Sequence, residues 1–129
     1  MKPSKFGNEK AQFGNEVFDS RGEMRRYLVL LDAVREGRIS NLRRQVKYSL
    51  VPQQFKTIAV PLKTKIRYER RQAEPAVTYT ADFVYEKDGE TVVEDYKGYP
   101  NDRWPIKRAL MLHVHGIAVR EVKKPTEDV

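Results

Sequence analysis

The 129-residue chain contains no cysteine, which excludes disulfides and any zinc site built on thiolates. No apolar run approaches the ~18 residues a membrane span requires, so no membrane partner is expected. No low-complexity tract argues for disorder. There are only two histidines, His113 and His115. They stand two apart, point to different sides of a helix and form no i,i+4 metal pair, so both read as structural. The first residues, Met1-Lys2-Pro3-Ser4-Lys5, are basic with no apolar stretch behind them. They do not read as a signal peptide, and a cytoplasmic location is the expectation.

What is present is a modest core in a chain of single-domain length, with 40% hydrophobic and 10% aromatic residues, together with an uneven charge. The formal net charge is +7, but residues 21–71 hold 14 Lys/Arg against 4 Asp/Glu, and residues 72–129 hold 8 against 11. Basic charge gathers in one half and carboxylates in the other. A generic basic surface would account for the total. The segregation fits a binder of phosphate backbones with a separate acidic metal site.

The most informative stretch is Tyr79 to Gly98. Two runs rich in β-branched and aromatic residues flank Asp88-Gly89, the pair that favours a two-residue hairpin turn. With Asp88 and Gly89 as the turn, Lys87 faces Glu90 and Asp82 faces Asp95. Opposed Cβ atoms lie about 5 Å apart, and like charges there are destabilising. Alternation puts Asp82, Val84, Val93, Asp95 and Lys97 on one face. Two carboxylates beside an ammonium make sense around a divalent cation, since Mg²⁺ takes one or two carboxylates plus phosphate oxygens. A solvated face neutralised by Lys97 accounts for the same residues, and a bulge would shift the register.

Around this hairpin, residues 1–17 are polar, with Phe6-Gly7-Asn8-Glu9 recurring as Phe13-Gly14-Asn15-Glu16, and read as a flexible arm. Phe18 to Glu23 opens a helix: Ser20 with Glu23 three residues on fits a capping box. Met24, Tyr27, Leu28, Leu31 and Val34 give its apolar face, and Gly37 suits the position just past its end. Glu23 fits both a cap and a site at the helix start; spacing alone favours the cap. Residues 41–50 read as a strand with Val46, Tyr48 and Leu50 on one side, and Arg43, Arg44 and Lys47 making its polar side basic. Residues 55–62 read as a short edge strand. Residues 63–75 read as a basic loop or the tip of a hairpin, carrying Lys63, Lys65, Arg67, Arg70 and Arg71, with Tyr68 placed to stack on a base. Trp104-Pro105 leads into a second helix with Ile106, Ala109, Leu110 and His113 on one face, ended by Gly116. Lys107 and Arg108 in its first turn oppose the helix dipole and point to an anionic partner. Residues 117–122 read as a last strand and 123–129 as a charged, frayed tail. The fold class is α/β, a single domain with a mixed central sheet flanked by helices in the order α-β-β-β-α-β.

Three fragments, Phe18-Asp19-Ser20-Arg21-Gly22-Glu23, Tyr79-Thr80-Ala81-Asp82-Phe83 and Glu94-Asp95-Tyr96-Lys97-Gly98, together resemble the PD-(D/E)XK nuclease superfamily. More narrowly they resemble small phage endonucleases of the phage T7 endonuclease I type, which resolve branched DNA, and short phage proteins sharing this motif order. The resemblance implies a restriction-endonuclease-like core over residues 18–122. It implies Asp82 as the first metal-binding aspartate, Asp95 as the variable acid of the (D/E)XK element, and Lys97 as the lysine at the attacking water. It also implies Glu23 as the helix carboxylate completing the metal site. Ala81 stands where the family has proline. Glu94 precedes Asp95, but only Asp95 lies two before Lys97. The implied activity is Mg²⁺-dependent endonucleolytic cleavage of DNA, with Mn²⁺ as a substitute, in phage-infected cytoplasm. A homodimer is expected if the substrate is a four-way junction, where two symmetric cuts need two sites. A non-cutting nucleic-acid-binding module and an RNA nuclease are the alternative readings.

Overall fold

Asp88 and Gly89 both have positive φ, 51° and 81°, the pair of conformations a two-residue hairpin turn needs. The computed structural model describes residues 9–97 and 102–129. In it the turn joins β6 (Val77–Lys87) to β7 (Glu90–Tyr96), with Lys87 opposite Glu90 and Phe83 opposite Glu94. This is the register expected from the turn. Phe83, Val84, Tyr85 and Val93 are all buried, and neighbours along a strand face opposite ways. Both faces of the hairpin are therefore covered, and the solvated-face reading is excluded.

The remaining elements are β1 (Ala11–Phe13), β2 (Glu16–Phe18), α1 (Arg21–Arg35), β3 (Ser40–Val51), β4 (Gln54–Pro61), β5 (Ile66–Glu74), α2 (Trp104–His115) and β8 (Arg120–Val122). A four-stranded sheet runs β3-β6-β7-β8. β6 and β7 are antiparallel, while β7 and β8 are parallel. A parallel neighbour needs a crossover, which α2 occupies in the chain. Taken in order, α1, β3, β6, β7, α2 and β8 give the α/β class and mixed sheet that were expected, with β4 and β5 intervening. The chain divides into two compact units, Met1–Val46 with Thr80–Val129, and Lys47–Tyr79. The core of the first is Leu30, Ala33, Ile39, Phe83 and Tyr85, with Tyr27, Leu42, Val92 and Val129 packed against it. In the second, β4 and β5 form their own antiparallel pair.

Five expectations need correction. The arm is in part ordered: β1 pairs with β2 through a turn at Gly14, φ 60°, and Phe18 is buried. Phe6 and the rest of 1–8 lie outside the described residues, as do 98–101 of the loop before α2. Helix α1 turns Glu23, Arg26, Leu30 and Ala33 inward, because two of these charged groups find partners inside. Met24, Leu28 and Leu31 are only partly buried and Val34 is exposed. The stretch 63–75 is the hairpin alternative and not a loop, since β5 pairs with β4 along its length. Helix α2 buries Trp104 and Met111, seven apart and so on one face. The predicted stripe faces out, with Ile106 65% exposed.

The fifth correction concerns the tail, which is tied down. Arg26, wholly buried, donates to the main-chain carbonyls of Pro125 (3.1 Å), Glu127 and Asp128 (3.3 Å). Lys87 Nζ donates to the Val129 carbonyl at 2.6 Å. The same guanidinium grips Glu94 in a two-pronged ion pair, 2.5 and 3.0 Å. Tyr85 donates its hydroxyl proton to Glu94 at 2.7 Å. Every prong of a buried charge is thus matched, which is what makes such a pair tolerable inside a core. Burial and then the Glu94 carboxylate push the Tyr85 hydroxyl pKa far up.

Candidate functional site

The backbone pairing of β6 with β7 stops at Phe83 and Glu94. At the next position the Tyr96 N–H donates to Asp82 Oδ2, at 2.8 Å. A side-chain carboxylate thus takes the place of a ladder carbonyl, and it anchors Asp82 at the mouth of the hairpin. Asp95, 3% exposed, stands beside it, close enough for the two carboxyls to act on each other's ionisation.

The third carboxyl comes from α1. Ser20 caps the helix by accepting from the Glu23 N–H at 3.1 Å, and Glu23 Oε2 accepts from the Asp19 N–H at 3.0 Å. Glu23 is 3% exposed, and its carboxyl lies near enough to Asp82 to help push that pKa up. Glu23 is therefore part of the cap, with one oxygen fixed at the helix start, while its carboxyl stands beside Asp82. Gly22 allows this approach. A Cβ there would lie 2.2 Å from the Tyr96 hydroxyl oxygen and 2.6 Å from its ring, so only glycine lets the first turn of α1 pass against Tyr96.

Glu23, Asp82 and Asp95 bring three carboxyls together, and burial opposes ionisation of the two aspartates. Burial raises the Asp82 pKa to about 7, with the neighbouring Glu23 adding to it. Burial likewise raises Asp95 to about 7, with Asp82 the next cause and Lys97 opposing it. Protons or positive charge at these carboxyls offset that cost. Lys97 supplies part. Its Nζ lies 2.5 Å from Asp95 Oδ2, yet that buried oxygen receives no aligned hydrogen bond. The Lys97 ammonium also lies 4.2 Å from the Trp104 ring centroid, a cation–π contact that fixes its position. Trp104 is in turn held by Nε1–H donating to Glu121 Oε1 at 2.6 Å. Glu121 sits opposite Asp95 in the parallel β7–β8 register.

The ambiguity between Glu94 and Asp95 is resolved by parity. Glu94 meets Arg26 and Tyr85, and Asp95 meets Asp82 and Lys97. Sequence reasoning missed Tyr96, Trp104, Glu121 and Gly22 as supports. The signals available were the single tryptophan a few residues after Lys97 and the glycine directly before Glu23. As to metal binding, the donor set is all carboxylate oxygen, suited to a hard cation, and Asp95 keeps a buried oxygen without an aligned donor. Among the described residues no three such side chains stand as a ready-formed coordination shell.

The basic candidates divide between the two units. In the first, Arg43 is exposed and pairs with Glu86 at 3.2 Å. Arg44, next in the strand, points the other way: it pairs with Glu16 at 2.9 Å and lies 3.8 Å over the Phe18 ring. It belongs to the packing of β2 and not to a basic outer face. Arg108 pairs with Glu121 at 3.2 Å, which accounts for a cation in that turn without an anionic partner, and Lys107 is partly buried. In the second unit Lys47, Lys63 and Lys65 are exposed. Arg67 and Arg71 share Glu69, each at 2.6 Å, and Arg70 stacks on Phe55.

Fold and site together define an α/β protein with two buried carboxyls, Glu23 and Asp95, a partly buried one, Asp82, and one ammonium at a hairpin mouth. A model of the family described as "Protein of unknown function (DUF1064)" matches residues 3–124, and the chain belongs to that family. No curated protein and no solved structure matches the chain. Among the described residues no helix is long and apolar enough to cross a membrane.

Proposed function

We propose that this protein is a divalent-metal-dependent endodeoxyribonuclease, with Glu23, Asp82 and Asp95 as the ligands of Mg²⁺ or Mn²⁺ and Lys97 beside the scissile phosphate. The observation that carries the reading is the meeting of three carboxyls from α1, β6 and β7 with one oriented ammonium. A divalent ion held there supplies Lewis-acid stabilisation of a phosphodiester and activation of water. The chain's own groups do the rest. Asp82 and Asp95, fixed by the Tyr96 N–H and by the ladder, present oxygens that do not need to reorganise. Lys97, held between Asp95 and the Trp104 face, offers a positive group where charge develops on the phosphate oxygens. The motif resemblance supports DNA, in branched or recombination-intermediate form, as the substrate, acted on in host cytoplasm by a homodimer.

The test is incubation with duplex, flap, single-stranded and four-way DNA and with RNA, with and without Mg²⁺ or Mn²⁺. Cleavage that needs the metal and falls at least about a hundredfold in Asp82→Asn and Lys97→Ala, with binding retained, is the expected result. Binding with no cleavage of any substrate would leave a non-cutting nucleic-acid-binding module. Cleavage confined to RNA would reassign the substrate.

A further inference from the structure

The carboxylate site leaves one face of the β4–β5 hairpin unused. Side chains of this two-stranded sheet fall into two sets by alternation. One set holds Lys56, Ile58 and Val60 opposite Arg71, Glu69 and Arg67, and there Glu69 compensates both arginines. Over the regularly paired stretch the other set holds Phe55, Thr57, Ala59 and Pro61 opposite Gln72, Arg70, Tyr68 and Ile66, and it carries no carboxylate there. On this face the Arg70 guanidinium lies 3.7 Å from the Phe55 ring centroid. Phe55 is 44% exposed and Tyr68 69%, an unusual amount of open aromatic surface for one small sheet.

Tyr68 and Arg70 are two apart on one strand, so their Cα atoms lie about 6.7 Å apart. That is about twice the 3.4 Å rise of a stacked base. That backbone spacing leaves room for one base between a ring at position 68 and the Arg70–Phe55 pair. Every base has a π-face, so such a slot accepts unpaired bases of any identity, whereas a base already stacked within a duplex has no face to offer. Residues 54–74 carry six Lys/Arg against two Glu, with Lys63 and Lys65 in the turn, which matches a phosphate backbone.

We propose that the Phe55–Tyr68–Arg70 face binds nucleic-acid strands through unpaired bases. This deepens the nuclease reading, and rests on it for the choice of DNA, by naming substrates with unpaired nucleotides. The binding itself does not depend on cleavage.

The experiment measures binding of labelled oligothymidylate and of a duplex of equal length to the full chain in EDTA, by fluorescence anisotropy. Tyr68→Ala and Phe55→Ala are expected to weaken single-strand binding between about fivefold and a hundredfold, with a smaller effect on duplex. Tyr68→Phe, which keeps the ring, should bind as the parent does, and Arg67→Ala should weaken both ligands alike. Equal losses for single strand and duplex, or no loss, would overturn the proposal. So would a dimer that dissociates in Tyr68→Ala, which would make this face a contact between copies. Selective single-strand binding in a protein that cuts nothing would sink the nuclease reading and leave this one standing.

Discussion

The carboxyl groups of Asp82 and Asp95 face each other one position beyond the last paired residues of the β6–β7 hairpin. Each has its pKa raised by burial from 3.8 to about 7. In the metal-free protein the folded state therefore binds more protons than the unfolded chain between these values. The protonated pair's contribution to stability is complete below about pH 4, falls as pH rises, and is gone above about pH 7. Thermal unfolding in EDTA is expected to show lower stability at pH 8 than at pH 5, by on the order of a few kcal/mol. Asp95→Asn, which cannot ionise, should flatten that fall. Added Mg²⁺ should restore stability at pH 8 in the parent and not in the variant.

Glu23 serves two roles that substitution separates. Ser20→Ala removes the side-chain cap and should cost about 1 kcal/mol in chemical denaturation, leaving divalent-ion binding in place. Glu23→Gln keeps an oxygen for the Asp19 N–H and so keeps most of the stability. It replaces a carboxyl of the proposed site by an amide, and calorimetric titration should show weaker Mg²⁺ binding. Equal behaviour of the two variants in that titration would reduce Glu23 to a cap.

The contact of Gly22 with Tyr96 predicts a coupled pair. Gly22→Ala forces a Cβ into the Tyr96 ring and should destabilise by about 1–3 kcal/mol. Because the Tyr96 N–H also holds Asp82, divalent-ion affinity should fall with it. Tyr96→Ala makes room for the new methyl, so the double variant should be more stable than the two separate costs imply.

The buried Arg26–Glu94 pair gives a prediction unrelated to chemistry. Glu94→Ala strands a buried guanidinium and should cost about 3–5 kcal/mol in urea unfolding. Arg26→Met with Glu94→Leu, an apolar exchange of similar volume, should cost less than either single change. Since Arg26 also holds the carbonyls of Pro125, Glu127 and Asp128, both Arg26 variants should loosen residues 123–129, read as faster amide exchange or proteolysis there.

How much of this was legible in the sequence depends on the range of the forces involved. The hairpin register follows from two turn residues, and with it the meeting of Asp82 and Asp95 and the exclusion of Glu94. The cap at Ser20 and the stop at Gly37 are equally local. Arg26 was illegible because a lone arginine in a helix reads as solvated, and only a partner 68 residues away decides otherwise. The fixed tail follows from that same side chain. The rotation of α2 was misread because its richer apolar stripe lies outward, while two large residues, Trp104 and Met111, set the buried face. Arg44 was misplaced by counting basic residues without their alternation along β3.

The proposed activity requires a divalent cation bound by the carboxyls of Glu23, Asp82 and Asp95. Electron paramagnetic resonance of Mn²⁺ titrated into the protein at neutral pH measures this without any substrate. The expected result is saturable binding that competes with Mg²⁺ and is lost in Asp82→Asn and Asp95→Asn. Equal Mn²⁺ binding in the parent and both variants, or none in any of them, would contradict it.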